Sequence, residues 1–408
     1  MIPGVRFYLH AMLRPSTILI VLVLFASLTL AQQSHEHGAP EQLGTVSFPT
    51  SCSPAINAQF ERGVALLHSF AYSTAESTFR EVAEKDPRCA MAHWGIAMSY
   101  FHELWDPRIA PANFALGRQE IERAQQIGAG TSREREFIAA LALLYASNEQ
   151  AAYAANAQRY AQAMQTLAAD NPTDVESQVF YALALLSTAS PSDKTHANQK
   201  RAVAILEPLY RKYPQHPGLA HYMIHACDNA EMASQGLPAA EAYAKIAPSA
   251  PHALHMPSHI FTRLGMWDDS IASNIASQAA AAQHGDIGEQ LHAMDYLVYA
   301  YLQSGREAEA AKVIGQLKTM PVANTSDYKV GYSATAMPVR YAVERRQWDE
   351  AASIVPPVGA PPQVLAIAIW ARAIGLARLR HRTEVQPADL ITAARPAWAG
   401  QCLIDSAR

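Results

Sequence analysis

The stretch FTRLGMWDDSIASN (residues 261–274) decides the fold. Phe261 leads to Gly265, a residue suited to ending a helix. Trp267 then opens a second amphipathic run carrying the small Ser270 beside Ile271. The same succession returns in YLQSGREAEAAKVI (301–314), with Tyr301, Gly305, Ala310 and Ala311, and in RRQWDEAASIV (345–355), with Trp348 and Ala351. An early unit starting at Ile56 fits as well. Gly63 sits where two helices must approach, Leu66 follows three residues later, and Ala75, Phe79 and Pro87 keep the spacing. One such match is weak, but four in register make a repeat. Composition agrees: 50% hydrophobic and 17% charged residues, with few glycines and few β-branched runs, favour a helical globular chain.

Prolines close the units: Pro87, Pro172, Pro214, Pro248 and Pro321 each follow a helical segment, and Pro214 and Pro248 are 34 residues apart. Proline suits that place because it cannot continue a helix. A period near 34 with a closing proline is the tetratricopeptide signature. The expected fold is an all-α, right-handed α-solenoid of antiparallel helix pairs over 55–382, each pair burying its apolar stripe on its neighbours. The pairs fall at roughly 56–89, 90–127, 133–172, 174–214, 217–248, 251–284, 291–321, 333–356 and 362–382, and 383–408 is expected to cap the array.

The N-terminus reads as an export signal over 1–31. Arg6 and Arg14 precede the apolar run Ile18–Leu30, and Ala31 ends a small-residue site. A run of thirteen residues is short for a membrane span, so cleavage is expected rather than an uncleaved anchor. Removing the two arginines moves the formal charge from −4 to −6. A mildly acidic chain without basic runs excludes nucleic acid as a natural partner. Residues 32–54, with His35 and His37, read as a flexible lead. The expected location is periplasmic or secreted, with no integral span once the signal is removed. In that oxidising setting Cys52 and Cys89, each just before the first helix of adjacent units, are expected to form a disulfide. Cys227 reads as a buried thiol.

Beyond the repeat, GVALLHSF (63–70), DPRCAMAHWGIAMS (86–99), HYMIHACD (221–228) and HALHMPSHIFTRLG (252–265) resemble a group of bacterial exported tetratricopeptide repeat proteins. The resemblance covers most of the mature chain. It implies the solenoid, and it implies that residues two, five and nine of each first helix line a concave groove. It implies no particular activity.

On that register His252, His255 and His259 are second, fifth and ninth in one unit. His221 and His225 are fifth and ninth in the unit before, and His292, Asp295 and Tyr299 take the three places in the unit after. Spacings of four put His221/His225 and His255/His259 on single helical faces. The expectation is one four-histidine patch at His221, His225, His255 and His259. Its rim is His252, His292, Asp295 and Asp228. Neutral imidazoles suit zinc, copper, nickel or ferrous ions, zinc first. Pro257 opposes this, because it disfavours continuous helix between His255 and His259. His68, His93 and His102 read as polar residues near helix ends, and Trp94, Trp105 and Trp267 as packing residues.

Two functions remain open. One is a scaffold that binds a protein or peptide in its groove. The other is a metal- or small-ligand-binding protein, extending to a metal-dependent hydrolase. HExxH, P-loop, GxGxxG, CxxCH, GxSxG and CxxC patterns are all absent, so the sequence leaves the question of an enzyme open.

Overall fold

A computed structural model describes residues 41–102, 104, 109–147, 149–320 and 327–379. The expected signal segment, His35, His37, Trp105 and the expected cap at 383–408 lie outside the described residues. The described residues contain helices and no strand. In chain order the pairs are α1 Asn57–His68 with α2 Tyr72–Lys85, α3 Ala90–Met98 with α4 Pro111–Ile127, α5 Ser132–Leu144 with α6 Gln150–Asp170, and α7 Val175–Ser187 with α8 Ala197–Lys212. Next come α9 Pro217–Cys227 with α10 Ala233–Ile246, then α11 Pro251–His255 and α12 Pro257–Arg263 facing α13 Trp267–His284. Finally α14 Ile287–Gln303 packs with α15 Glu307–Thr319, α16 Tyr328–Glu344 with α17 Trp348–Ser353, and α18 Pro362–Arg378 closes the described chain. Neighbouring helices pack on one another throughout.

The turn inside a pair recurs atom for atom. A backbone N–H reaches back five residues, as in a Schellman cap: Met266 to Phe261 O (2.8 Å), Arg306 to Tyr301 O (2.7 Å), Gln347 to Ala342 O (2.9 Å) and Ala71 to Leu66 O (3.0 Å). The residue before each donor is left-handed: Gly265 and Gly305 at φ 73, Arg346 at φ 58 and Phe70 at φ 53. Glycine occupies that seat without strain, whereas a bulky aromatic there is an outlier.

Gly63 lets the first pair close, since a Cβ there would lie 2.7 Å from the Phe79 ring. The core grows from such contacts. Phe48, Phe60, Trp94, Phe137 and Phe180 are buried. Phe48 meets Phe60, Trp94 and Phe137 at 5.4, 5.6 and 5.2 Å between ring centroids.

Two features depart from the sequence reading. Residues 42–53 are not a loose lead. Thr45 donates its backbone N–H to Gln215 O, Ser249 N–H goes to Gln42 O, Phe48 N–H to Glu61, Ser51 N–H to Glu134 and Ser53 N–H to Asp86. Cys52 is disulfide-bonded to Cys89, their Cα atoms 4.9 Å apart. Buried Phe48 explains the docking, because its ring removes more apolar surface than any neighbour in the segment. The second departure is contact beyond the nearest neighbour. The end of α1 packs on α9: His68 O accepts from His221 Nδ1 at 2.6 Å, and Tyr243 OH lies 3.3 Å from Ser69 Oγ. Gly218 permits this approach, since a Cβ there would be 2.6 Å from His68 Nδ1.

Candidate metal centre

The Pro257 objection fails for a local reason. Met256 keeps helical angles (φ −53, ψ −36), so α11 and α12 continue one another with proline at the first position of the second. His255 and His259 therefore stay on one face, with Nε2 atoms 3.0 Å apart. His221 and His225 repeat this on α9, also with Nε2 atoms 3.0 Å apart.

The structure regroups these residues. The expected four-histidine patch with a rim becomes two trios, His221/His225/His252 and His255/His259/His292, each with ligand atoms within 4.8 Å of one another. Each trio takes its pair from one repeat and its third member from the next. His252 and His292 are thus members rather than rim, because the second position of a repeat's first helix faces the late positions of the preceding one. The trios are adjacent: ring centroids are 5.9 Å apart for His252 and His255 and 6.2 Å for His225 and His259.

Groove exposure was also misjudged. His221 and His255 have no solvent-exposed surface, and His252 and His292 have very little. Burial pushes His221, His225, His255 and His292 well below the ordinary histidine value, and neighbouring imidazoles push the same way. Neutral imidazole, the form that binds metal, is favoured.

Outer acceptors set the tautomers. Asn274 donates Nδ2–H to Ser270 O (2.8 Å), which turns its Oδ1 toward His255 Nδ1 at 2.7 Å. His255 Nδ1 therefore carries the proton and Nε2 the lone pair. Asp228 Oδ2 accepts from His259 Nδ1 at 2.8 Å, so in the neutral ring, the form that binds metal, the lone pair is on Nε2 as well. Two lone pairs then face each other across 3.0 Å. Only an electrophile between them, a proton or a metal ion, makes the arrangement favourable. His221 is fixed likewise by His68 O, and Glu289 Oε1 lies 3.0 Å from His252 Nδ1. Such outer partners orient ligands and raise their basicity.

Asp228 belongs to this outer layer. Burial alone would raise its carboxyl, but His259 and Arg263 (Nε 2.8 Å away) outweigh that and hold it far below the usual range. Glu289 behaves the same way, held well below by Lys329 and His252 against its burial. Asp295 does not face the trios: it pairs with Arg340 at 3.3 Å, and burial raises its carboxyl. Burial pushes the Cys227 thiol up to about 12, so it is no thiolate ligand at neutral pH.

Sequence reasoning missed a third group. His68, Glu176 and His216 are all buried and within 4.8 Å. Glu176 Oε2 faces His68 Nε2 at 2.8 Å, and Oε1 accepts from His216 Nε2 at 2.9 Å. His216 Nδ1 in turn accepts from Leu219 N–H, and Tyr222 OH lies 3.1 Å from His68 Nδ1. Glu176 lies in the first turn of α7, and the only available signal was the recurrence of a glutamate at that place, as at Glu134 and Glu289. Asn274 and Tyr296 carried no signal. Tyr296 rings the second trio, its OH 3.2 Å from His259 Nδ1. Of the other described histidines, His93 pairs with Glu120 at 2.6 Å, and His102 stacks on Tyr72. No protein-family model matches the chain, and no curated protein matches it significantly.

Proposed function

We propose that this chain is an exported, periplasmic or secreted helical-repeat protein, a right-handed α-solenoid of tetratricopeptide-like pairs, that binds a divalent transition metal at His255, His259 and His292. Zinc is the first candidate. One observation carries the reading: the Nε2 lone pairs of His255 and His259 oppose each other at 3.0 Å while Asn274 and Asp228 hold both Nδ1 protons outward. A metal ion relieves that opposition, and all-imidazole donors suit zinc and copper. Three protein ligands leave one coordination position, the arrangement in which zinc activates water, so a hydrolase is the natural extension.

The test is metal analysis of the purified chain after dialysis against zinc. At least one tightly held ion per chain is expected, and His259→Gln should hold one fewer than wild type. A wild-type chain that retains no zinc or copper sinks the reading.

A protein or peptide partner is the second reading. One observation favours it: residues 42–53 already lie as an extended segment held by backbone hydrogen bonds on these helices. A partner whose binding ignores both chelators and His259→Gln would support it.

A further inference from the structure

We infer that His221, His225 and His252 hold a second transition-metal ion beside the first, making a binuclear centre. The inference rests on the reading just given. Three observations carry it.

The first is equivalence. Both trios join an i,i+4 histidine pair with Nε2 atoms 3.0 Å apart to a histidine from the next repeat, with all three ligand atoms within 4.8 Å. In each, backbone or side-chain oxygens hold the Nδ1 atoms: His68 O for His221 and Glu289 for His252, against Asn274 for His255 and Asp228 for His259.

The second is how the shells interlock. Asp228 caps α9, which carries His221 and His225, yet its carboxylate serves His259 in the other trio. Glu289 and His292 share α14, yet the Glu289 carboxylate serves His252. Each trio is oriented by the helix of the other. Ring centroids across the boundary lie 5.9 and 6.2 Å apart.

The third is Phe70. It fills the turn position that Gly265 and Gly305 fill elsewhere, likewise at positive φ (53 against 73). Its ring lies 4.4 Å from His221, 5.6 Å from His225 and 5.4 Å from His252 between centroids. A bulky side chain kept in a left-handed backbone seat is a local cost, and such costs gather at functional sites. Here the cost places an apolar cover over the first trio, which shields a bound ion from water.

The donor set is six imidazoles. No carboxylate or thiolate belongs to either trio, so the ions are imidazole-preferring, zinc or copper, rather than magnesium or calcium.

The experiment is metal stoichiometry on the full chain, with zinc and cobalt(II) as probes. Wild type should retain two ions per chain. His225→Gln and His259→Gln should each retain one, and the double variant none. One ion in wild type, lost in His259→Gln but kept in His225→Gln, overturns the second site and leaves the first standing. One ion lost in both variants means a single shared site and overturns the binuclear centre. No ion in wild type overturns both readings. If the variants fail to fold, cobalt(II) titration of wild type decides. A second equivalent should bind and lower the paramagnetic signal per cobalt through coupling. No second equivalent, or two fully additive signals, overturns the proposal.

Discussion

The group His68–Glu176–His216 and the group His255–His259–His292 are built from similar parts at similar burial, and they differ in one respect. In the first, the carboxylate stands between two imidazoles and gives each ring an acceptor, so the network closes on itself. Burial would raise Glu176, but His216 and His68 bring it down to about 2. In the second, the carboxylate lies outside the rings and the lone pairs point inward at each other. A closed network holds a fold together, whereas an open one is a receptor for a cation. Where the acid sits relative to the histidines decides which of the two a cluster becomes.

The sharpest way to break this comparison is Glu176→Ala. It leaves His68 and His216 buried without their acceptor, and removing one member of a buried charged pair costs about 3–5 kcal/mol. Urea denaturation should show that loss with metal content unchanged in the folded fraction. A loss under ~1 kcal/mol, or loss of metal, would show that the closed group is not structural.

Cys89→Ser is a control outside both regions. It frees Cys52 and the docked segment, and cross-links closing loops of this size contribute roughly 3–4 kcal/mol. Urea curves should show that change while metal stoichiometry stays the same. If stoichiometry falls with it, the metal site is coupled to the segment.

Asp228→Asn probes the open group. The amide can present its oxygen to His259 Nδ1 but loses the charge that raises ligand basicity. Metal affinity should fall 10–100-fold, the usual effect of altering an outer partner, with stability little changed. Unchanged affinity in a competition titration with a chelator would place Asp228 outside the centre.

The smallest effect per group is that of pH. The folded values of His221, His225, His255 and His292 are depressed, so below about 6.5 the unfolded chain takes up protons that the folded chain refuses. Stability of the metal-free protein is therefore full above that value and falls with acid, by about 1.4 kcal/mol per pH unit for each histidine in its window. Bound metal should delay the fall. Denaturation midpoints at pH 7.5, 6.5 and 5.5, with and without zinc, measure both. A flat profile would mean that these rings are solvated.

Much of the helical order was legible because repeats announce themselves. Gly265, Gly305 and the closing prolines Pro87, Pro172, Pro214 and Pro248 mark turns whatever else the chain does. The two i,i+4 pairs were legible for the same reason, since helical periodicity is local. The trios were not, because His252 and His292 join them only through packing between helices. Nor was the closed network, because His68 meets Glu176 across 108 residues and nothing near either residue signals the other. Met256 shows the opposite failure. A local rule, that proline breaks what precedes it, was applied where a helical Met256 satisfied it without a break.

The docked segment at 42–53 has a consequence for the order of folding. It leaves the ribosome before the helices it binds. Thr45 must wait for Gln215, and Gln42 for Ser249, 207 residues later. Contacts between such distant residues form slowly, because the loop must close before the bond rewards it. Phe48 meets Phe60, Trp94 and Phe137 early, but Gln42 and Thr45 stay without their partners until the chain has passed Ser249 and Gln215, so the stretch docks in stages and its first residues settle last.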